Sequence, residues 1–315
     1  MNNFSQLGHQ CSPQALVALV VLAILSVTSV ARAQQDFDWA TYSQVGYMNN
    51  AGDVIAHTQS WSRPMKLDVA ALVQVAGSDA AAADFQANVL PSIQKLLNTQ
   101  LSESTVFKNQ AAMMLDPSKL TLATSYEARV YFIGEGAGYR NTLGFNALPA
   151  GTTVSDSAIT ANAQLIFPDA SSPYSSYDPL NASARLWNAP LIPGDFVELG
   201  TFEAGTTLDF FLIANGASGG TTTYTANATQ NPDQINHVVA FALPDSPFLI
   251  VGFEDLLGGG DRDYNDLLFA VDIGAANLQR LVSTPEPATW LILAGCLGWV
   301  LVMARRHRGT GLDTD

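Results

Sequence analysis

From Leu120 onward the chain is written in short apolar runs, each closed by Gly, Pro, Asn, Asp or Ser, and that punctuation suits strands and little else. After a turn at 116–119, Leu120, Leu122, Tyr126, Ala128, Val130 and Phe132 alternate with Thr121, Ala123, Glu127, Arg129 and Tyr131. A period of two predicts one long strand with one buried face. Further strands are expected at 163–167, 196–202, 207–213, 237–243, 248–253 and 267–273, while 171–180 and 221–229 read as loops. No helical pattern separates these runs. The expected fold is therefore mainly β, a jelly-roll-like antiparallel β-sandwich over 119–276.

Before it, residues 34–118 read as a smaller α/β N-terminal part. A short apolar run covers 69–75, and the Ala-rich stretch 80–100 places Phe85, Val89, Ile93, Leu96 and Leu97 three and four residues apart. That spacing predicts an amphipathic helix, capped by Ser78 or Asp79 and bent or broken at Pro91.

The two ends read as targeting signals. Residues 15–30 are uncharged and apolar, and Ala31-Arg32-Ala33 presents small residues where a signal peptidase reads, so 1–33 is expected to be a signal peptide and Gln34 the first mature residue. After a linker at 277–283 come Thr284-Pro285-Glu286-Pro287, an apolar stretch expected to form a transmembrane helix at 288–304, the basic cluster Arg305-Arg306-His307-Arg308, and a tail at 309–315 that the basic cluster would keep cytoplasmic. The order of Pro-Glu-Pro, short apolar helix and arginine cluster over 284–308 resembles the PEP-CTERM sorting signal of Gram-negative bacteria. The resemblance implies an exosortase-type processing enzyme as partner, transient residence in the inner membrane, and delivery to the cell surface or an extracellular, exopolysaccharide-containing matrix. Cys11 and Cys296, the two cysteines, both lie in these terminal segments, so disulfides and thiolate chemistry are excluded from the body. With Lys+Arg 14 against Asp+Glu 28, the net charge of −14 also speaks against a nucleic-acid partner.

The densest polar stretch runs from Gly252 to Asp266 between two apolar runs. It holds the carboxylates of Glu254, Asp255, Asp261, Asp263 and Asp266, with Asn265 and the glycines Gly258, Gly259 and Gly260. Crowded carboxylates repel one another unless a cation sits among them, and Asp261, Asp263 and Asn265 at alternate positions of a turning loop can aim oxygens at one centre. Hard calcium, which takes six to eight oxygens, is the expected cofactor. Asp261, Asp263, Asn265, Asp266, Glu254 and Asp255 are the candidate ligands, with Arg262 turned away and Tyr264 packed inward or onto the loop. An EF-hand would need Gly where Asp266 stands and a helix where the sequence reads LLFAVDI. A calcium loop between strands fits better.

The Phe-Glu-Asp, Gly-rich, Asp-x-Asp-x-Asn-Asp order from Phe253 to Asp266 resembles the domain of unknown function 4114 of bacterial surface and PEP-CTERM proteins, and Ala137 to Gly144 resembles a second segment of it. The likeness spans 120–274 and implies a surface location and calcium binding without naming a reaction. Enzyme signatures are weak. Gly216-Ala217-Ser218-Gly219-Gly220 fits G-x-S-x-G but is followed by a Thr-rich stretch where the motif needs a helix, and Gly134 to Gly138 lacks the third glycine of a dinucleotide loop. His57 and His237 show no ligand spacing, and His237 is expected at a strand edge. The sequence thus points to a non-catalytic, exported, calcium-binding surface or matrix protein. The alternative is a carbohydrate-active module, lectin-like or hydrolytic, with Tyr174, Tyr177 and Trp187 as its sugar-facing aromatics.

Overall fold

The structure is a computed structural model and describes residues 64–100, 114–152, 158–173, 189–243 and 246–283, with two short antiparallel strands, β1 (Tyr47–Met48) and β2 (Val54–Ile55). The expected signal peptide, the sorting signal with its apolar helix, and Tyr174, Tyr177 and Trp187 lie outside the described residues. Among the described residues, no helix is long and apolar enough to cross a membrane.

Two sheets make the fold. A six-stranded sheet runs β4 (Met114–Leu115), β11 (Val238–Ala242), β12 (Phe248–Phe253), β13 (Leu267–Asp272), β5 (Tyr126–Gly134) and β8 (Phe196–Phe202). A five-stranded sheet runs β10 (Thr223–Thr225), β9 (Thr207–Ile213), β6 (Thr142–Leu148), β7 (Gln164–Phe167) and β3 (Asp68–Val69). The second sheet is mixed, because β3 pairs parallel with β7. The connectivity also departs from a jelly roll: β11, β12 and β13 lie side by side as a meander in one sheet instead of alternating between sheets. Residues ahead of 119 are built into the same body, since β3 edges one sheet and β4 the other.

Strand parity explains the packing. Ala128, Val130 and Phe132 of β5, Leu249, Val251 and Phe253 of β12, and Leu267, Phe269 and Val271 of β13 point into the core between the sheets, against Leu143, Phe145, Leu208, Phe210 and Leu212. The opposite parity, Tyr131, Ile133, Ile250, Leu268 and Ala270, meets a helical layer through Phe85, Leu90, Ile93 and Leu97. Both faces of the central strands are therefore covered, which is why β12 and β13 read as continuous apolar runs. The long strand expected from Leu120 is corrected on the same ground. β5 begins only at Tyr126, and its second half is buried on both faces, Tyr131 stacking on Phe85 with centroids 3.9 Å apart.

The helical layer consists of α1 (Ala80–Asp84), a π-turn over Phe85–Val89 and α2 (Leu90–Gln100). Asp79 is the N-cap, accepting from the Ala82 amide at 2.7 Å. The break falls before Pro91 instead of at it. Proline's ring collides with the carbonyl four residues back, and widening the preceding turn, so that the Leu90 amide reaches the Phe85 carbonyl, relieves the crowding. A last helix, α3 (Ala275–Ser283), follows β13.

Strand direction collects the functional loops. β5, β9 and β12 end, and β6, β8, β11 and β13 begin, at the same end of the sandwich. That end carries 135–141, 214–222, 231–237 and 254–266, while α3 sits at the other.

Candidate metal centre

The β12–β13 connection, 254–266, is a curled loop. Gly258, Gly259 and Gly260 have φ of 88°, 80° and 47°, and Arg262 and Tyr264 follow at 60° and 56°. A non-glycine residue in this left-handed region costs on the order of 1 kcal/mol, and such strain gathers at functional sites. It persists here because both ends of the loop are fixed in strands, β12 fully buried and β13 nearly so.

The curl brings Glu254, Asp261 and Asp263 together, each offering a carboxylate oxygen within 4.8 Å of the others. Glu254 is fully buried, Asp263 half-buried and Asp261 exposed, so the group opens from the interior to solvent. Glu254 Oε1 accepts the Tyr264 amide at 2.6 Å. Its Oε2 is buried with no hydrogen-bond partner. An unpaired buried carboxylate oxygen is costly, and a cation is the natural partner for it. Gly260 leaves the space: a Cβ there would stand 2.5 Å from Glu254 Oε2. The donor set, all carboxylate oxygen, suits a hard divalent ion such as calcium.

Electrostatics agree with the geometry. Burial first, opposed by the Tyr264 amide and reinforced by the charges of Asp263 and Asp261, pushes the Glu254 carboxyl up to about 7. Asp263 is also raised, by burial foremost. Both shifts make proton binding compete with a divalent ion at this site.

The other expected ligands brace the loop. Asn265 donates from its amide to Asp263 Oδ1 at 3.1 Å and from Nδ2 to Asp263 Oδ2, which orients that carboxylate toward the triad. Asp266 Oδ2 accepts the Asp255 amide at 2.9 Å and closes the loop's base. Asp255 Oδ2 accepts from Asn141 Nδ2 at 2.7 Å, and the Gly136 amide donates to the Asn265 carbonyl at 3.0 Å. The 137–144 and 253–266 segments are thus neighbours in space. Burial, then the charges of Asp255 and Glu254, push Asp266 up to about 8, and burial, with Asp169 and Asp255 nearby, pushes Glu135 up to about 7. Arg262 is exposed and Tyr264 half-buried.

Residues 202–274 match the domain of unknown function DUF4114. The DUF4114 match holds β9 to β13 and the whole acidic loop, whereas the long strand and the 137–144 segment, expected to share the likeness, lie outside it. No curated protein and no solved structure matches the chain.

The sequence pattern gives no site role to Asn141, Glu135, Asp233 or His237, all of which meet the loop or its neighbours. His237, directly before β11, is fully buried, and its ring stacks on Tyr224 with centroids 3.9 Å apart. Gly216–Ser218 is a 3-10 turn between β9 and β10, with no helix after Ser218 to make a nucleophile elbow.

Proposed function

We propose that this protein is an exported, non-catalytic calcium-binding protein of the cell surface or extracellular matrix, carried there by a signal peptide and a PEP-CTERM-type signal that an exosortase-type enzyme processes. The observation that supports calcium is the buried, unpartnered Glu254 Oε2 facing Asp261 and Asp263 across the gap that Gly260 leaves. Glu254, Asp261 and Asp263 would hold the ion, which supplies charge neutralisation and fixes the loop. Asn265 orients Asp263, and Asp255 and Asp266 close the loop beneath it. Three carboxylates leave several of calcium's six to eight positions to water or main-chain oxygens.

The test is calorimetric titration of the full-length protein with calcium and with magnesium. One calcium per chain is expected, with Kd in the range near 10⁻⁴ to 10⁻³ M common in extracellular modules. Asp263→Ala removes a ligand and Gly260→Ala fills the gap with a methyl group, so each is expected to abolish binding. Absence of calcium binding by the unaltered protein refutes the reading.

A further inference from the structure

One stretch of 231–237 is fastened to the acidic loop without adding a carboxylate to the triad. Asp233 Oδ2 accepts the Gly258 amide at 2.7 Å, at the start of the three left-handed glycines. The same carboxylate faces His237 Nε2, at 3.1 and 3.0 Å from its two oxygens. On the other side of the ring, Nδ1 lies 3.1 Å from the Glu254 carbonyl oxygen, an acceptor only, so Nδ1 is the donor. The His237 carbonyl in turn accepts the Glu254 amide at 2.9 Å. The ring is fully buried and held flat against Tyr224 of β10. Burial alone would raise the Asp233 carboxyl, but the Gly258 amide and His237 outweigh it and hold it below the usual carboxylate range.

These contacts grip the loop at two points: at the backbone of the residue that carries the orphan oxygen, and at the glycine where the chain begins to curl toward Asp261. A run of three glycines has the most backbone freedom to lose, so fixing its entry before the ion arrives removes much of the ordering cost of binding. We propose that Asp233 and His237 are positioning residues that set calcium affinity by holding the Glu254 backbone and the Gly258 amide in the binding geometry. The inference rests on the calcium reading of the triad.

The pair is tested through the half-buried Asp233 in the full-length protein, by calorimetric titration with calcium and by terbium luminescence excited through tyrosine. Asp233→Ala removes the Gly258 grip and the carboxylate that holds the His237 ring, and is expected to weaken calcium about tenfold with one ion still bound per chain, and Asp233→Ser, which cannot span Gly258 and the ring together, to do the same. Asp233→Asn presents Oδ1 to the Gly258 amide and Nδ2 to His237 Nε2, so it is expected to restore affinity to within about threefold despite the lost charge. If Asp233→Asn binds as weakly as Asp233→Ala, the residue acts by its charge and the positioning role is wrong. Wild-type affinity in Asp233→Ala or Asp233→Ser overturns it as well. Failure of the unaltered protein to bind calcium or terbium overturns the calcium reading itself, and this inference with it, in an arm that involves no variant.

Discussion

Calcium is expected to stabilise the protein far more at pH 8 than at pH 6. The Glu254 carboxyl, ordinarily near 4.5, is pushed up to about 7 in the metal-free fold, by burial first and by the Asp263 and Asp261 charges after it. A carboxyl raised on folding costs nothing while it is protonated in both states, and the cost grows as pH climbs from about 4.5 to about 7. In EDTA, stability therefore falls across that window, by no more than about 3.5 kcal/mol, since each tenfold change in a proton's affinity is worth about 1.4 kcal/mol. Asp266, at about 8, pushes in the same direction. Calcium needs the ionised carboxylate, so at pH 6 it competes with a proton and its apparent Kd is about tenfold weaker than at pH 8. With calcium at ten times the pH 8 Kd, the gain is about 1.4 kcal/mol at pH 8 and about 0.4 kcal/mol at pH 6. For a chain of this size those gains correspond to rises in Tm of roughly 3–6 °C and about 1 °C. Scanning calorimetry in EDTA and in calcium at the two pH values reads both numbers. Equal rises at the two pH values would refute the exchange of a Glu254 proton for the ion.

Two further outcomes follow from the same geometry and from the chain ends. Asp195 is fully buried and accepts the Ala76 amide at 3.0 Å and the Ile192 amide at 2.9 Å, so Asp195→Ala is expected to lower stability by about 1–3 kcal/mol while leaving the calcium increment intact, whereas Asp261→Ala removes the increment and leaves the EDTA melt near that of the unaltered protein. Mass spectrometry of the protein from its native cells is expected to show neither residues 1–33 nor the segment after Pro287, and Arg305 to Arg308 retained on most molecules would refute the sorting proposal.

The strands with a clean alternation or an unbroken apolar run were legible: β8, β9 and β12 carry the bounds that the sequence pattern predicts. β6 was not legible, because Gly144 and Asn146 interrupt its apolar pattern. Both have structural reasons invisible in one dimension. A Cβ on Gly144 would collide with the Phe211 ring, and Asn146 is satisfied by the Ala158 carbonyl, the Thr160 amide and Asp209. β10 hid in a Thr-rich stretch because three residues show no period. At the site, the alternate acidic positions exposed the loop, yet only the fold separates the triad from the braces. Asn141 lies 114 positions from Asp255, and the Asp233–His237 grip on the loop is made from the far side of a strand hairpin, where no local spacing announces it.

The placement of the loop also explains how a strained, acidic segment survives in a chain with no disulfide in its body. Every residue of β12 is buried, β13 is nearly so, and the hairpin they form is flanked by β11 and β5 and covered on both faces. Left-handed residues and carboxyls lifted to about 7 and about 8 are tolerated because the hairpin's own burial far outweighs them. A cation bound there would therefore have no fold to create. Under the calcium proposal its work would be local, to neutralise Glu254, Asp261 and Asp263 and to fix a curl whose ends are already set. The opposite end of β13 passes straight into α3, where Asn277 accepts the Ala123 and Thr124 amides at 2.8 Å and donates to the Thr124 and Ile273 carbonyls. One strand thus joins the acidic loop at one end of the sandwich to α3 at the other, so the loop's far strand is held at both of its ends.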